Sequence, residues 1–464
     1  MADNDLQKNL NFYAFLSLNT LEDDLYPHSS YGKRIINPVD IKKAWGKCVV
    51  NIIKKKAPGK LGLYIHLPFC FTKCRFCSCG SYVPKNYDEV KLYLKSLEKE
   101  ILFLKKSFKK AEFTSVYFGG GTPSFVRIDD LRRLFSLLFT KFKIRKDAQI
   151  IFEANPISLT ENLIKLLAKY RVTRLTIGVQ SLDKKVLKKV DRPQTKEHFL
   201  RGYLLARKYK IPFINIDLMA GLPYQSVTSF VDDLQFLLKL KPDMVHIFSF
   251  IPLEETVFVR EGGTLSPTQI KNREIMVRIA NEMLAKYFSL IPHEVMGNEG
   301  AENVQEVDMR RQNSSLLGLG YGSHSHIFGY FWYKHDKATC FKANPSGKIP
   351  PFIGIDGNLE EEMRKFVINN IQTGFERKLF KQLFSKDVMD VFPKEMGDLI
   401  ALGKITIGKR RITSSLIRRR EVILFLKHFC SQERIKAILD TCGAKFNPKK
   451  YYISEFNYLY TESD

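Results

Sequence analysis

The chain has 464 residues, with 74 lysines and arginines against 49 aspartates and glutamates, a formal charge of +25, 44% hydrophobic and 12% aromatic residues. At about 150 residues per domain there is room for about three domains and an extensive core, and the apolar fraction excludes a disordered polycation. The charge favours an anionic partner (nucleic acid, acidic lipid or a carboxylate-rich small molecule) without choosing among them.

No run approaches about 18 uninterrupted apolar residues, and the opening MADNDLQKNL is too polar for a secretory signal. A cytoplasmic protein without a membrane span is therefore expected. Six β-branched or aromatic-rich runs punctuate the first half: Leu61 to Leu67, Ser115 to Gly119, Ile150 to Glu153, Arg174 to Val179, Phe213 to Met219 and Met244 to Phe250. Helical spacing fills most of the gaps, over Tyr87 to Lys106, Ile128 to Phe142, Thr160 to Tyr170, Thr195 to Lys210 and Ser226 to Leu240. This alternation predicts an α/β protein with a parallel sheet, open or closed, whose chemistry lies at the carboxyl ends of the strands.

A further helix is expected about Thr268 to Phe288, then a glycine-rich segment, Leu317 to Gly322, and a proline-bearing boundary loop from Asn344 to Gly357. Beyond it, helices and a short strand pair about Gly408 suit a small helical, winged-helix-like C-terminal domain. There, Lys404 to Arg420 carries seven basic residues and no acid. The expected divisions are an N-terminal extension packing on the sheet (1–57), the strand-helix repeat (58–255), a segment with a glycine-histidine loop (256–357), and the basic domain with its tail (358–464).

Four of the eight cysteines, Cys70, Cys74, Cys77 and Cys79, fall within LYIHLPFCFTKCRFCSCG as C-x3-C-x2-C-x-C, just where the first expected strand ends. Thiolates at these spacings can wrap a compact soft-metal centre. The bland alternative is tetrahedral zinc, whose ligands are usually divided between two distant pairs. SVYFGGGTPS brings Gly119, Gly120, Gly121, Thr122 and Pro123 to the second strand end, where glycines permit close backbone approach to a ligand or merely a tight turn. Glu153 ends the third strand in IIFEANP.

YIHLPFC with C-x3-C-x2-C resembles the radical S-adenosylmethionine (SAM) enzymes, specifically their oxygen-independent coproporphyrinogen III oxidase-like branch. The resemblance implies a partial six-unit (β/α) barrel and a 4Fe-4S cluster held by Cys70, Cys74 and Cys77, with the fourth iron open to SAM. Catalysis is assigned to no residue beyond these ligands. Cys79 matches a fourth cysteine that does not ligate in those oxidases. Tyr64, Gly120 and Glu153 match positions that contact the first SAM. Phe76, Gly121, Thr122, Gln180 (RLTIGVQSLD), Arg192 (VDRPQT) and Asp217 (INIDLMAGLP) match positions near a second SAM, so one or two molecules per chain are implied. The bland alternative for Arg192 and Asp217 is a structural ion pair at the barrel rim.

The family also implies a tetrapyrrole carboxylate as substrate, for which arginine-rich surroundings are suited, and an electron donor such as flavodoxin or ferredoxin. LLGLGYGSHSHIFG, with His324 and His326, is similar to a segment of relatives that handle haem as chaperones, which leaves haem as a further cofactor; those relatives lack a cysteine at the place of Cys79. Two histidines on a glycine loop are otherwise a hydrogen-bonded turn. A two-SAM methyltransferase of the same branch is the other alternative. The arginines Arg410, Arg411, Arg418, Arg419 and Arg420 raise nucleic-acid binding, but clustered cations are more often a solvated face or a substrate lid, so nucleic acid is not expected as the partner.

Overall fold

A computed structural model describes residues 34–291, 295–335 and 349–415, together with Phe429, Ser431 and Glu433. Residues 1–33 of the expected N-terminal extension, residues 344–348 of the expected proline-bearing loop, and Arg418, Arg419 and Arg420 lie outside the described residues, and the rest of that expected loop holds a strand, Phe352–Asp356.

Thirteen strands form one sheet: β1 (Arg34–Ile36), β2 (Leu61–Leu67), β3 (Glu112–Gly120), β4 (Lys143–Ala154), β5 (Arg174–Gln180), β6 (Phe213–Ala220), β7 (Met244–Ser249), β8 (Ser289–Ile291), β9 (Val295–Gly297), β10 (Ser315–Leu319), β11 (His324–Ile327), β12 (Phe331–His335) and β13 (Phe352–Asp356). Their order is β1-β13-β12-β11-β10-β2-β3-β4-β5-β6-β7-β9-β8. Strands β2 to β7 run parallel in sequence order, the expected six-unit arrangement. Parallel strands need long crossovers, supplied by α1 (Tyr87–Leu104), α2 (Ile128–Lys141), α3 (Glu161–Lys169), α4 (Lys196–Lys208) and α5 (Val227–Lys239).

Each helix starts where its sequence allows. Asn86 accepts from the amides of Asp88 and Glu89, Thr160 caps α3, and Thr195 and Ser226 form capping boxes at α4 and α5. The helices bury one apolar face on the sheet. Phe118 of β3, Phe135 of α2 and Phe152 of β4 are fully buried, and the Phe118 and Phe135 rings lie 4.5 Å apart. Burial of each such side chain contributes about 1.5–3 kcal/mol.

Two differences from the sequence reading bear on the site. Strand β4 begins at Lys143 rather than Ile150, because its first half alternates exposed Lys143 and Arg145 with a half-buried Ile144 and carries no apolar run. The first half of the glycine-rich Leu317 to Gly322 is strand: β10 pairs parallel with β2, and β11 to β13 and β1 continue the sheet antiparallel. Gly318 fits there because a Cβ would fall 2.3 Å from the His324 carbonyl oxygen.

The C-terminal part contains α6 (Leu359–Asn370), α7 (Arg377–Phe384) and α8 (Pro393–Ala401), with a three-stranded antiparallel sheet of β14 (Phe375–Glu376), β16 (Arg411–Ser414) and β15 (Ile405–Ile407) in that order. The β15 and β16 pair turns about Gly408, giving the small winged-helix-like unit.

Candidate active site

The carboxyl ends of β2 to β7 surround a cavity of about 490 Å3. It is lined by Cys70, Cys74, Phe76, Cys77 and Cys79 from the loop after β2, Gly120 to Thr122 after β3, Glu153 on β4, Gln180 and Arg192 at and after β5, and Asp217 on β6. Every site residue expected from the sequence is therefore at this cavity except Tyr64. That ring lies lower in the barrel, 5.5 Å from the Tyr117 ring, with its hydroxyl 3.2 Å from His66 Nδ1.

Backbone bonds fix the cysteine loop. Cys70 N donates to Tyr82 O at 2.9 Å, Tyr82 N to Pro68 O at 2.7 Å, and Arg75 N to Val190 O at 3.1 Å. Each thiol has its own polar neighbour: Thr122 Oγ1 lies 3.4 Å from Cys70 Sγ, Arg192 Nη1 3.5 Å from Cys74 Sγ, and Lys73 Nζ 4.0 Å from Cys77 Sγ. A bond from the Cys79 thiol, with the Lys73 charge and Ser81, overcomes burial and draws the Cys77 thiol down to about 5. Among the described residues no three His, Cys, Asp or Glu side chains converge as ligands of one metal ion do. A cubane is a different case, since each thiolate takes its own iron. Three thiols on one pinned loop, each beside a donor able to stabilise a thiolate, fit such a cluster.

The glycine loop folds back under the cysteines. Gly121 N donates to Leu67 O at 2.9 Å, and a Cβ on Gly121 would stand 2.5 Å from Pro68 O. Gly120 has φ +117°, a conformation that L side chains rarely adopt. A register shift between Gly178 and Gln180 turns Gln180, at φ +66°, toward the cavity, where its Oε1 is buried without a partner among the described residues. Bulges re-aim side chains in this way at sites. An orphaned acceptor and a tight backbone cradle both suit a polar ligand.

Arg192 does not pair with Asp217. It donates from Nε to Gln194 Oε1 at 2.8 Å and from Nη2 to Gly178 O, while Asp217 Oδ1 accepts from Asn215 Nδ2 at 2.7 Å. The ion-pair alternative is thus not what the side chains do. Burial pushes the Glu153 carboxyl up to about 7 despite a 2.5 Å bond from Tyr117 Oη, and it raises Asp217 as well.

Sequence reasoning missed Thr176, which lines the cavity, and His66, Tyr117, Arg174 and His246 on the same strands. Of these only His66, two residues from Tyr64 on β2, could have been found from the two-residue period of a strand. His324 and His326 lie away from the cavity, on β11. His326 is 3% exposed, and its nitrogens bond Ser314 O at 3.0 Å and Glu362 Oε1 at 2.8 Å.

The Radical SAM superfamily pattern matches residues 64–237, the segment that carries this cavity. The chain carries a radical SAM domain and is similar to oxygen-independent coproporphyrinogen III oxidases. Among curated relatives, this radical SAM chain is 28% identical over 427 residues to an oxygen-independent coproporphyrinogen III oxidase of Helicobacter pylori strain J99, covering 85% of this chain and 91% of the relative. It is 33% identical over 214 residues to the Escherichia coli K12 protein of that name, covering 45% and 47%. It is also 25% identical over 351 residues to the haem chaperone HemW of Bacillus subtilis, covering 74% and 92%. The solved coproporphyrinogen III oxidase HemN of Escherichia coli shares the fold, with a TM-score of 0.72 at 22% identity over 88% of this chain and 97% of that one. As a radical SAM enzyme the protein works with a 4Fe-4S cluster and SAM. No helix among the described residues is long and apolar enough to cross a membrane.

Proposed function

We propose that the enzyme carries out radical oxidative decarboxylation of a propionate-bearing porphyrinogen, as the names of its coproporphyrinogen oxidase relatives suggest. The observation that carries this reading is the single cavity shared by the three motif cysteines, the glycine loop, Glu153, Gln180, Arg192 and Asp217. Cys70, Cys74 and Cys77 would hold the cluster. When bound, the cluster would supply the one electron for reductive cleavage of SAM and so give access to hydrogen-atom abstraction β to the carboxylate, while release of carbon dioxide with formation of a vinyl group would also need a one-electron acceptor.

The chain's own residues orient and shield. Tyr64, Gly120 and Glu153 would serve the first SAM, Tyr64 by shaping the floor from below. Phe76, Gly121, Thr122, Gln180, Arg192 and Asp217 would order a second SAM or the substrate. A guanidinium, an amide and a carboxylate at one rim suit a zwitterion through charge-assisted hydrogen bonds, and their fixed geometry holds the reacting carbon near its partner. Phe71 and Phe248, both partly exposed at the cavity, would exclude competing hydrogen donors. The reductant would be a small protein donor of the flavodoxin or ferredoxin type, and the cellular setting the cytoplasm. The test is anaerobic reconstitution with dithionite, SAM and coproporphyrinogen III, followed by mass spectrometry. Loss of carbon dioxide supports the reading. A methylated product, or unaltered tetrapyrrole with tight haem binding, would replace it by a methyltransferase or a haem chaperone.

A further inference from the structure

Beneath the cavity, Arg174 opens β5 and is 3% exposed. Its bonds all go to neutral partners: Nε donates to Ala301 O at 2.9 Å, Nη1 to Thr176 Oγ1 at 2.8 Å, and Nη2 reaches Met244 Sδ at 3.7 Å. It makes no ion pair among the described residues. A guanidinium cannot shed its proton, and burying one unpaired costs several kcal/mol. Such a placement calls for a compensating role.

The strand register supplies one. Arg174 and Thr176 share a face of β5; Thr176 is registered against Glu153 on β4 and against Asn215 on β6. Asn215 Nδ2 in turn bonds Asp217 Oδ1. Arg174 therefore lies under two buried carboxylates that line the same cavity and repel one another. Burial and the Asp217 charge both push Glu153 up, and Arg174 acts against the rise in both acids. The other titratable or charged groups facing the pair are Tyr64 on β2, Tyr117 on β3, Cys79 in the cysteine loop, Arg192 after β5, and His246 on β7, itself near Glu306. Of these only Arg192 is a permanent cation, and its nitrogens are engaged at the rim.

We propose that Arg174 is a positioning residue that keeps Glu153 and Asp217 ionised together, so that both can meet cationic groups of the bound ligand. The ligand half of this inference rests on the reading of the cavity as the SAM site; the charge half does not.

Two measurements test the halves separately. In cofactor-free protein, thermal unfolding of R174M, D217N and the double variant forms a cycle. The loss of Tm caused by R174M should be smaller in the D217N background; an equal loss in both backgrounds would overturn the proposal. Should R174M alone not fold, R174M/D217N is expected to fold, and failure of both that variant and R174M/E153Q/D217N would overturn it equally. In cluster-loaded protein, equilibrium dialysis of SAM against pH should give a midpoint about one pH unit higher for R174M, or about tenfold weaker binding at fixed pH below it, with R174K close to the parent. An unchanged midpoint for R174M refutes the role. If the parent protein itself binds no SAM, the reading of the cavity falls, and the unfolding cycle still judges Arg174.

Discussion

His326 and Glu362 are joined by a 2.8 Å bond between Nε2 and Oε1, with both side chains shut away from solvent. The carboxylate also takes the Gly329 amide at 2.9 Å and an Asn313 amide nitrogen at 3.2 Å, and Lys365 Nζ lies 3.3 Å from His326 Nδ1. This polar knot ties β11 of the large sheet to α6 of the C-terminal unit. Both imidazole nitrogens of His326 are committed within it, so this histidine serves the fold.

Removing the acid from that knot should be severe. Glu362→Ala leaves Lys365 buried without its counter-charge and His326 without its hydrogen-bond partner, and breaking a buried charged network of this kind costs about 3 kcal/mol. Chemical denaturation should register the loss as a lower midpoint. Because His326 is spent on structure, the Soret band in a haem titration is expected to be the same for H326Q and the parent protein.

SAM affinity should depend on pH through Glu153. Burial first, and the neighbouring Asp217 charge, raise its folded value to about 7 from an ordinary carboxylate value, so the free protein carries a proton there below about pH 7. A cationic ligand favours the ionised form, so binding releases that proton and strengthens as pH rises through about 7. Calorimetry in two buffers of different ionisation enthalpy should detect proton release near pH 6 and little by about pH 8. For stability of the free protein the sign is reversed: the unfolded chain ionises this carboxyl first, so its contribution to stability is full below the ordinary carboxylate value of 4.5 and is lost as pH rises from there to about 7.

Gly121→Ala tests the cradle. The added methyl would meet Pro68 O at 2.5 Å and Phe69 O at 2.8 Å, both backbone atoms that cannot swing aside. The strand end that leads into Cys70 must shift. We expect SAM binding to weaken by more than about tenfold, corresponding to roughly 1.4 kcal/mol, while far-ultraviolet circular dichroism stays unchanged.

The cysteines should separate into two classes. Cys70→Ala is expected to abolish both the iron-sulfur absorbance and 5′-deoxyadenosine formation. Cys79→Ala should retain the absorbance, because its thiol acts as a hydrogen-bond partner of the Cys77 thiol. If the Cys79 variant lost its iron instead, the choice of three ligands would be wrong.

Much of this was legible in the chain itself, and the parts that were not have physical reasons. Leu61–Leu67 reads as a strand at both ends because the run is apolar on both faces and bounded by turn residues. The beginning of β4 does not, because its polar alternation resembles a loop more than a buried strand. Strand β10 was hidden by Gly318 and Gly320, which the sequence offers as turn residues and the structure uses for close packing. The cavity residues announced themselves through motifs at strand ends. Arg174 did not, because nothing in RLTIGVQ tells a solvated arginine from one buried among neutral partners. Nor could spacing reveal that Arg192 bonds Gln194 rather than Asp217, a choice made by side chains after the strands have aligned.

Strand β2, whose end launches the cysteine loop, is flanked on one side by β3 and on the other by β10, from residues 315–319. Until that distant stretch has left the ribosome, one edge of β2 is a row of unpaired amides and carbonyls, and the loop beyond it lacks half of its support. Metal loading is therefore expected to wait for residues 315–319. A nascent polypeptide stalled before about residue 320 should be unable to retain iron, which makes the order of synthesis a safeguard against assembling a reactive centre on an unfinished protein.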